Sequence, residues 1–406
     1  MYMKQRKSQE VSSVLQRRRR RERRELIFTV VAFSLLLGAW LFGYFQEGAD
    51  IEDSFIKIMP DAERFVRSGD LWKAYAANEP DSTLVGCISR GSAISYGGPL
   101  EVIAALDLQG QVIGVMVVDH RDTPSFIHNV AVGGFLDQLP GKSYRDPFQS
   151  EEDIDVVTGA TITSEAIARS VQEAAIRVAK EELSKNVTLP RKKVRFGLPE
   201  VTLILLYAVG FIAHRPNFPK KNIIRWATMI IGLLVLGFWF NRPLTVAHIT
   251  SLLAGYFPSL YDNLYWYLLV GGIFLIVTVD NRNPYCSWFC PFGAFQECLS
   301  AVGNTRWNPP RKWRFRLKWA TRVLAFGAIF FGLLFRQPSA TSYEIFGTLF
   351  NFTGSIFQWI LLVLIILSSL VIYRPWCTYL CPLDPVVDVI STARKWIIDL
   401  WPKKGT

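Results

Sequence analysis

Apolar residues gather along this chain into blocks of roughly 16–20 with few charges, about the length needed to cross a hydrocarbon core near 30 Å. The blocks fall at 26–45, 197–213, 223–240, 264–280, 320–335 and 356–373, and each predicts a transmembrane helix. Between the first and second blocks the pattern shortens. Leu100 to Val118 reads as a hairpin, with two β-rich runs on either side of a Gln109-Gly110 turn. From Ile162 to Leu183, the residues Ile167, Val171, Ala174, Ala175 and Val178 recur at helical spacing, with Ser164 and Glu165 in the first turn. The expected architecture is a membrane protein of six transmembrane α-helices. One extracytoplasmic α+β domain, residues 46–190, lies between spans one and two.

Charge orients this arrangement. Residues 1–25 carry +7, residues 46–190 carry −11 and residues 191–406 carry +15, within a net charge of +11. The run Arg17 to Arg21 abuts the first apolar block and reads as a topology signal. No aromatic interleaving or recognition fold accompanies it, so nucleic acid is not an expected partner. The block at 26–45 is too long for a signal-peptide core and no A-x-A site follows it, which predicts an uncleaved anchor with tail 1–25 in the cytoplasm. Lys and Arg then concentrate in the tail and in the loops near 215–225, 282–322 and 374–406. The short outer segments hold Arg191, Lys192, Lys193, Arg195, Arg242 and Arg336. The chain is accordingly expected to sit in the cell membrane with membrane lipid as its solvent.

The five-span part, 191–406, looks internally duplicated. One span leads to Asn241-Arg-Pro, an outer apolar segment, a second span and Cys286-Ser-Trp-Phe-Cys290-Pro291. The next leads to Arg336-Gln-Pro, an outer apolar segment, a final span and Cys377-Thr-Tyr-Leu-Cys381-Pro382. Parallel repeats place both cysteine motifs on one side of the membrane, across the bilayer from the outer domain, where they could form one site. Four thiolates suit an iron–sulfur cluster; another metal, a reversible dithiol or a purely structural role are the other readings of the same residues. Cys87 and Cys298 fall outside the motifs. No Cys-x-x-Cys-His occurs, so no c-type haem is signalled.

The most informative stretch is Asp155-Val-Val-Thr158-Gly159-Ala160-Thr161-Ile-Thr163-Ser164, at a predicted helix start. Free amides and the positive end of the dipole favour a phosphate there. Gly159 and Ala160 let the backbone approach closely, and the hydroxyls of Thr158 and Thr163 can bond phosphate oxygens. By residues alone this is also an ordinary helix start. The pattern resembles the flavinylation signature of the FMN-binding domain in Rnf and Na⁺-translocating NADH:quinone reductase subunits. The resemblance implies covalent FMN on Thr161, attached through a phosphoester by a flavin transferase that reads Asp155. Tyr96-Gly-Gly-Pro-Leu100 resembles the family's entry to its hairpin. His120-Arg-Asp122-Thr123-Pro resembles its segment near the isoalloxazine ring, with Asp122 in place of the usual Glu.

The FMN motif combined with spans ending in Cys-x-x-x-Cys-Pro is similar to the NosR/NirI family of membrane flavoproteins. In length and ending the chain looks more like the short relatives encoded with reductive dehalogenases (the PceC or RdhC type). The resemblance implies electron transfer between a quinone pool or cytoplasmic donor and an extracytoplasmic redox enzyme. The alternative is a flavin-based redox sensor or maturation protein for an extracytoplasmic metalloenzyme.

Overall fold

The computed structural model describes residues 27–45, 54–77, 82–95, 97–122, 124–150, 152–157, 160–185, 187, 194, 196–215, 218–261, 263–305, 307 and 309–400. The basic tail lies outside the described residues, as do Thr123, Thr158, Gly159 and most of the Arg191 to Arg195 cluster.

A five-stranded antiparallel meander forms the first body: β1 (Arg64–Ser68), β2 (Leu71–Tyr75), β3 (Leu84–Ile94), β4 (Pro99–Asp107) and β5 (Val112–His120), in that order across the sheet. The predicted hairpin is β4–β5, with Leu100 opposite His120 and Leu106 opposite Val112. Its turn is held by Asp107, whose Oδ1 accepts from the amides of Gln109 and Gln111 at 2.9 and 2.8 Å. Gly110 supplies the positive φ of 83°. From Val102 to Leu106 β4 is apolar without interruption because both its faces are covered there. Val102, Ala104 and Leu106 point to the long helix Thr161–Glu181, while Ile103 and Ala105 pack on Phe55, Ile58 and Met59. The helix lies across β3 and β4. A Cβ at Gly91 would strike the Ser170 carbonyl, so glycine permits that close approach.

The second body is helical. Three helices are long and apolar enough to cross a membrane: Ile27–Phe45, Lys221–Trp239 and Arg311–Leu334. Leu198–Ala213, Leu264–Asp280 and Ile356–Ser369 are shorter apolar helices at the other predicted blocks. The block at 320–335 belongs to a helix that starts earlier, at Arg311, with a basic first half. The duplication is visible in element order. Lys221–Trp239, Val246–Ala254, Leu264–Asp280, Tyr285–Phe289 and Pro291–Val302 are followed by Arg311–Leu334, Phe346–Phe350, Ile356–Ser369, Pro375–Tyr379 and Leu383–Leu400. Asn241 and Arg336, at equivalent breaks, share the left-handed conformation, with φ of 43° and 53°.

The cysteine segments depart from expectation. After Asp280 the chain folds back into the helical body instead of leaving it. The Leu244 amide, next to the loops that meet the sheet body, donates to the Tyr285 hydroxyl at 2.9 Å. A Cβ at Gly232 would strike the Phe289 carbonyl, and one at Gly237 would lie 3.1 Å from Pro291 Cβ. The helix Pro291–Val302 therefore starts deep and returns outward, its Ser300 hydroxyl donating to the Ser369 carbonyl at 3.0 Å.

The two bodies touch directly. Ser251 Oγ donates to the Gly97 carbonyl at 3.2 Å, and Gln337 Nε2 donates to the His120 carbonyl at 3.1 Å. A Cβ at Gly97 would collide with the Arg121 carbonyl and Ser339 Oγ, so this junction needs glycine there.

Candidate functional site

A cavity of about 640 Å³ lies between the bodies, within the usual range for a cofactor site. The sheet body contributes Ile94, Ser95, Gly98, Phe126 and Ala160 to Thr163, the start of the long helix. The helical body contributes Trp239, Tyr256, Trp266, Phe346 and Phe350 as walls, with Asn241, His248, Ser339, Glu344 and Thr348 among the polar groups.

Thr161 is the first residue of its helix and is exposed, with Ala160 at the cap. Its side chain opens on the cavity where the helix's unpaired amides and positive dipole end also lie. Thr163 is different. It is buried, and its hydroxyl donates to Asp122 Oδ2 at 2.6 Å. Asp122 is fully buried and accepts from Ser95 Oγ at 2.5 Å and from the Gly97 amide at 2.6 Å as well. Burial pushes its carboxyl pKa up while those bonds oppose the shift. Here the Thr163 hydroxyl and the Asp122 carboxylate bond each other, and Thr163 also borders the cavity. Together they clamp the β3–β4 connection to the helix start. His120 sits at the junction of the bodies, outside the cavity lining, with its Nδ1 unpartnered. Asp155 is exposed, its backbone paired with the Gln138 side chain at 2.9 and 3.0 Å.

The polar lining suits a flavin. Asn241 Oδ1, Ser339 Oγ and Thr348 Oγ1 are buried without a protein partner, and all three residues line the cavity. Orphaned groups of this kind are costly unless a ligand satisfies them. Glu344 is buried, with both oxygens accepting from the Val246 amide at 2.8 and 3.0 Å and Oε2 from Ser342 Oγ at 2.6 Å. Burial lifts its carboxyl to about 7, and it lowers the nearby His248 to about 4. Of these helical-body residues the sequence offers only His248, a candidate to line a quinone pocket, and the Asn241-Arg-Pro break.

The structure brings the four motif cysteines into one neighbourhood. Cys290 Cβ and Cys377 Sγ each lie 3.6 Å from the position a Cβ would take at Gly293. Each sulfur has an N–H donor. Asn283 Nδ2 donates to Cys286 Sγ at 3.1 Å and Gln296 Nε2 to Cys377 Sγ at 3.3 Å. The amides of Phe292 and Gly293 point to Cys290, and that of Leu383 to Cys381. Beside them Arg374 Nη1 donates to the Cys286 carbonyl at 3.1 Å, and its guanidinium pairs with buried Glu297. Arg225 grips the same carboxylate bidentately at 2.6 Å. Burial pushes all four thiols up, Cys377 to about 12. Among the described residues no three His, Cys, Asp or Glu side chains converge on a single-ion site. An iron–sulfur cluster needs its sulfurs spread wider than one ion does, and N–H donors to each sulfur suit it. Cys87 and Cys298 are free and fall outside the two motifs in sequence.

Comparison with known proteins agrees with both sites. A family model described as an FMN-binding domain matches residues 95–176, and one described as a 4Fe-4S binding domain matches 262–310 and 355–399, once in each repeat. A component of the proton-translocating ferredoxin:NAD(+) oxidoreductase complex of Clostridium ljungdahlii is 29% identical over 140 residues, covering 33% of this chain and 75% of that protein. Regulatory protein NosR of Pseudomonas aeruginosa is 25% identical over 227 residues, 50% of this chain and 31% of NosR. Protein NirI of Paracoccus denitrificans is 27% identical over 201 residues, 45% of this chain and 28% of NirI. The chain thus spans under a third of the length of these NosR and NirI relatives.

Proposed function

We propose that this NosR/NirI-type FMN-binding membrane protein is an electron-transfer flavoprotein. It carries FMN covalently on Thr161 and passes electrons between a quinone pool or cytoplasmic donor and an extracytoplasmic redox enzyme. The observation that carries this reading is the cavity itself, which opens on the Thr161 helix start and ends on unpartnered polar groups of the helical body. The helix start would hold the phosphate. Asn241, Ser339 and Thr348 would meet the polar edge of the ring, and the aromatic walls exclude water. Bound there, FMN supplies one- and two-electron chemistry. Asp155, exposed ahead of the helix start, would be part of what a flavin transferase reads. Cys286, Cys290, Cys377 and Cys381 would hold an iron–sulfur cluster.

The finer topology is six spans with the tail and the C-terminal helix in the cytoplasm and the sheet body outside, supported by the Lys/Arg distribution. Kinship with the dehalogenase-associated relatives would make the partner an extracytoplasmic metalloenzyme. The second reading, a flavin-based redox sensor, is favoured by the regulatory designation of the NosR relatives. Anaerobic titration of purified, flavin-loaded protein with a quinol separates the two. Stoichiometric flavin reduction supports the carrier. Flavin that stays oxidised with quinol, and also with reduced one-electron donors, contradicts it.

A further inference from the structure

The sequence places the flavin and the cysteines on opposite sides of a bilayer about 30 Å thick, a separation too great for direct electron tunnelling at useful rates. The fold brings their sites together. Phe346 lines the cavity. Its ring lies 4.9 Å from that of Phe292 and 6.3 Å from that of Trp376, centroid to centroid. Phe292 and Trp376 also pack on each other at 5.8 Å. Phe292 follows Cys290-Pro291 in the chain and Trp376 immediately precedes Cys377. Two aromatic side chains in series, Phe346 and then Phe292 or Trp376, therefore lead from the cavity to the cysteine segments. The arrangement is rigid: Phe292 and Trp376 are fully buried, and the Trp376 amide donates to Gln296 Oε1 at 2.9 Å, the same side chain that donates to Cys377.

We propose that the Phe292–Phe346–Trp376 wall is the direct electron path between the flavin and the cysteine-held cluster, with no mobile carrier between them. This inference rests on the function proposed above. With both groups bound, each event would move one electron from one to the other with no bond made or broken, and full reduction of the flavin would take two such events with protons from water. The cluster is refilled by a one-electron donor, dithionite in the test. The three rings are positioning residues, since they conduct by closing distance and excluding water.

The test uses the full chain, loaded anaerobically, with covalent flavin and iron assayed first. Pulsed EPR then measures relaxation of the flavin radical with the cluster reduced to its paramagnetic state, in wild type and in Cys377→Ser. At least tenfold faster relaxation in wild type is expected. Equal relaxation, with both cofactors present in wild type, overturns the path and leaves the proposed function standing. Flavin on Thr161 without iron overturns the path and the cluster together, whereas absent flavin defeats the proposed function itself. In a second measurement, flash-initiated transfer should slow at least tenfold in Trp376→Leu and recover in Trp376→Phe. Unchanged rates in Trp376→Leu and in Phe346→Leu, with cofactors retained, also overturn the path.

Discussion

The Leu380 carbonyl, one residue before Cys381, accepts a hydrogen bond from the Tyr343 hydroxyl at 2.9 Å. Tyr343 belongs to the loop that carries Glu344 and Phe346 along the cavity, so this bond ties the floor of one site to the rim of the other. Its ring also lies 6.0 Å from that of Trp376. Tyr343→Phe keeps the ring and loses the bond. It should cost about 1 kcal/mol in thermal unfolding while leaving flavin and iron content unchanged. Loss of iron in this variant would mean that the bond, and not the ring packing, sets the cysteine geometry.

Asp122 should be a stability residue. Asp122→Ala strands three buried donors, Ser95 Oγ, the Gly97 amide and Thr163 Oγ1, and should cost about 3 kcal/mol or more. Asp122→Asn keeps one acceptor oxygen and should lose less. Denaturant unfolding followed by intrinsic fluorescence distinguishes them; a neutral Asp122→Ala would show that the clamp contributes nothing.

Much of the sheet body was legible in the residues, and the reasons are local. The β4–β5 hairpin follows from the β-rich runs on either side of Gln109-Gly110, and the helix Thr161–Glu181 from the spacing of Ile167, Val171, Ala174 and Val178. The repeat was legible because both copies keep the same punctuation, Asn241-Arg-Pro against Arg336-Gln-Pro. The fold-back of the cysteine segments was not. It depends on Gly232 meeting Phe289 and Gly237 meeting Pro291, contacts between residues more than fifty positions apart that no local period encodes. The cavity was hidden for the same reason, since Asn241, Ser339 and Thr348 become a site only when Thr161 is set opposite them.

Glu344 should make stability depend on pH. Its folded value, about 7, lies above the usual 4.5 of a free glutamate, so the folded state holds more protons across that interval. The contribution of this group is therefore fully present below about pH 4.5 and is lost as pH rises toward 7, by about 3 kcal/mol at most, while His248, lowered to about 4, contributes in the opposite sense over that window. Glu344→Gln removes the titration, and the stability difference between variant and wild type in detergent should change by up to about 3 kcal/mol over that window. Parallel profiles for the two proteins would show that Glu344 is ionised throughout.

The four motif cysteines should stand or fall together. Each single Cys→Ser variant at 286, 290, 377 or 381 should lose or alter all the iron of the site, because one cluster takes all four ligands. Iron and sulfide analysis with EPR reads this. Half of the iron retained in both Cys286→Ser and Cys377→Ser would indicate two separate sites, and iron-free wild-type protein would remove the cluster altogether.

The central claim, that FMN is joined to Thr161 at the mouth of the interdomain cavity, is tested most directly by peptide mass spectrometry. The full chain is co-expressed with a flavin transferase, denatured and digested. The account predicts one FMN, joined with loss of water, on the peptide containing Thr161, and no adduct on any peptide of Thr161→Ala. Flavin released by denaturation, or an adduct that persists in Thr161→Ala, would contradict it.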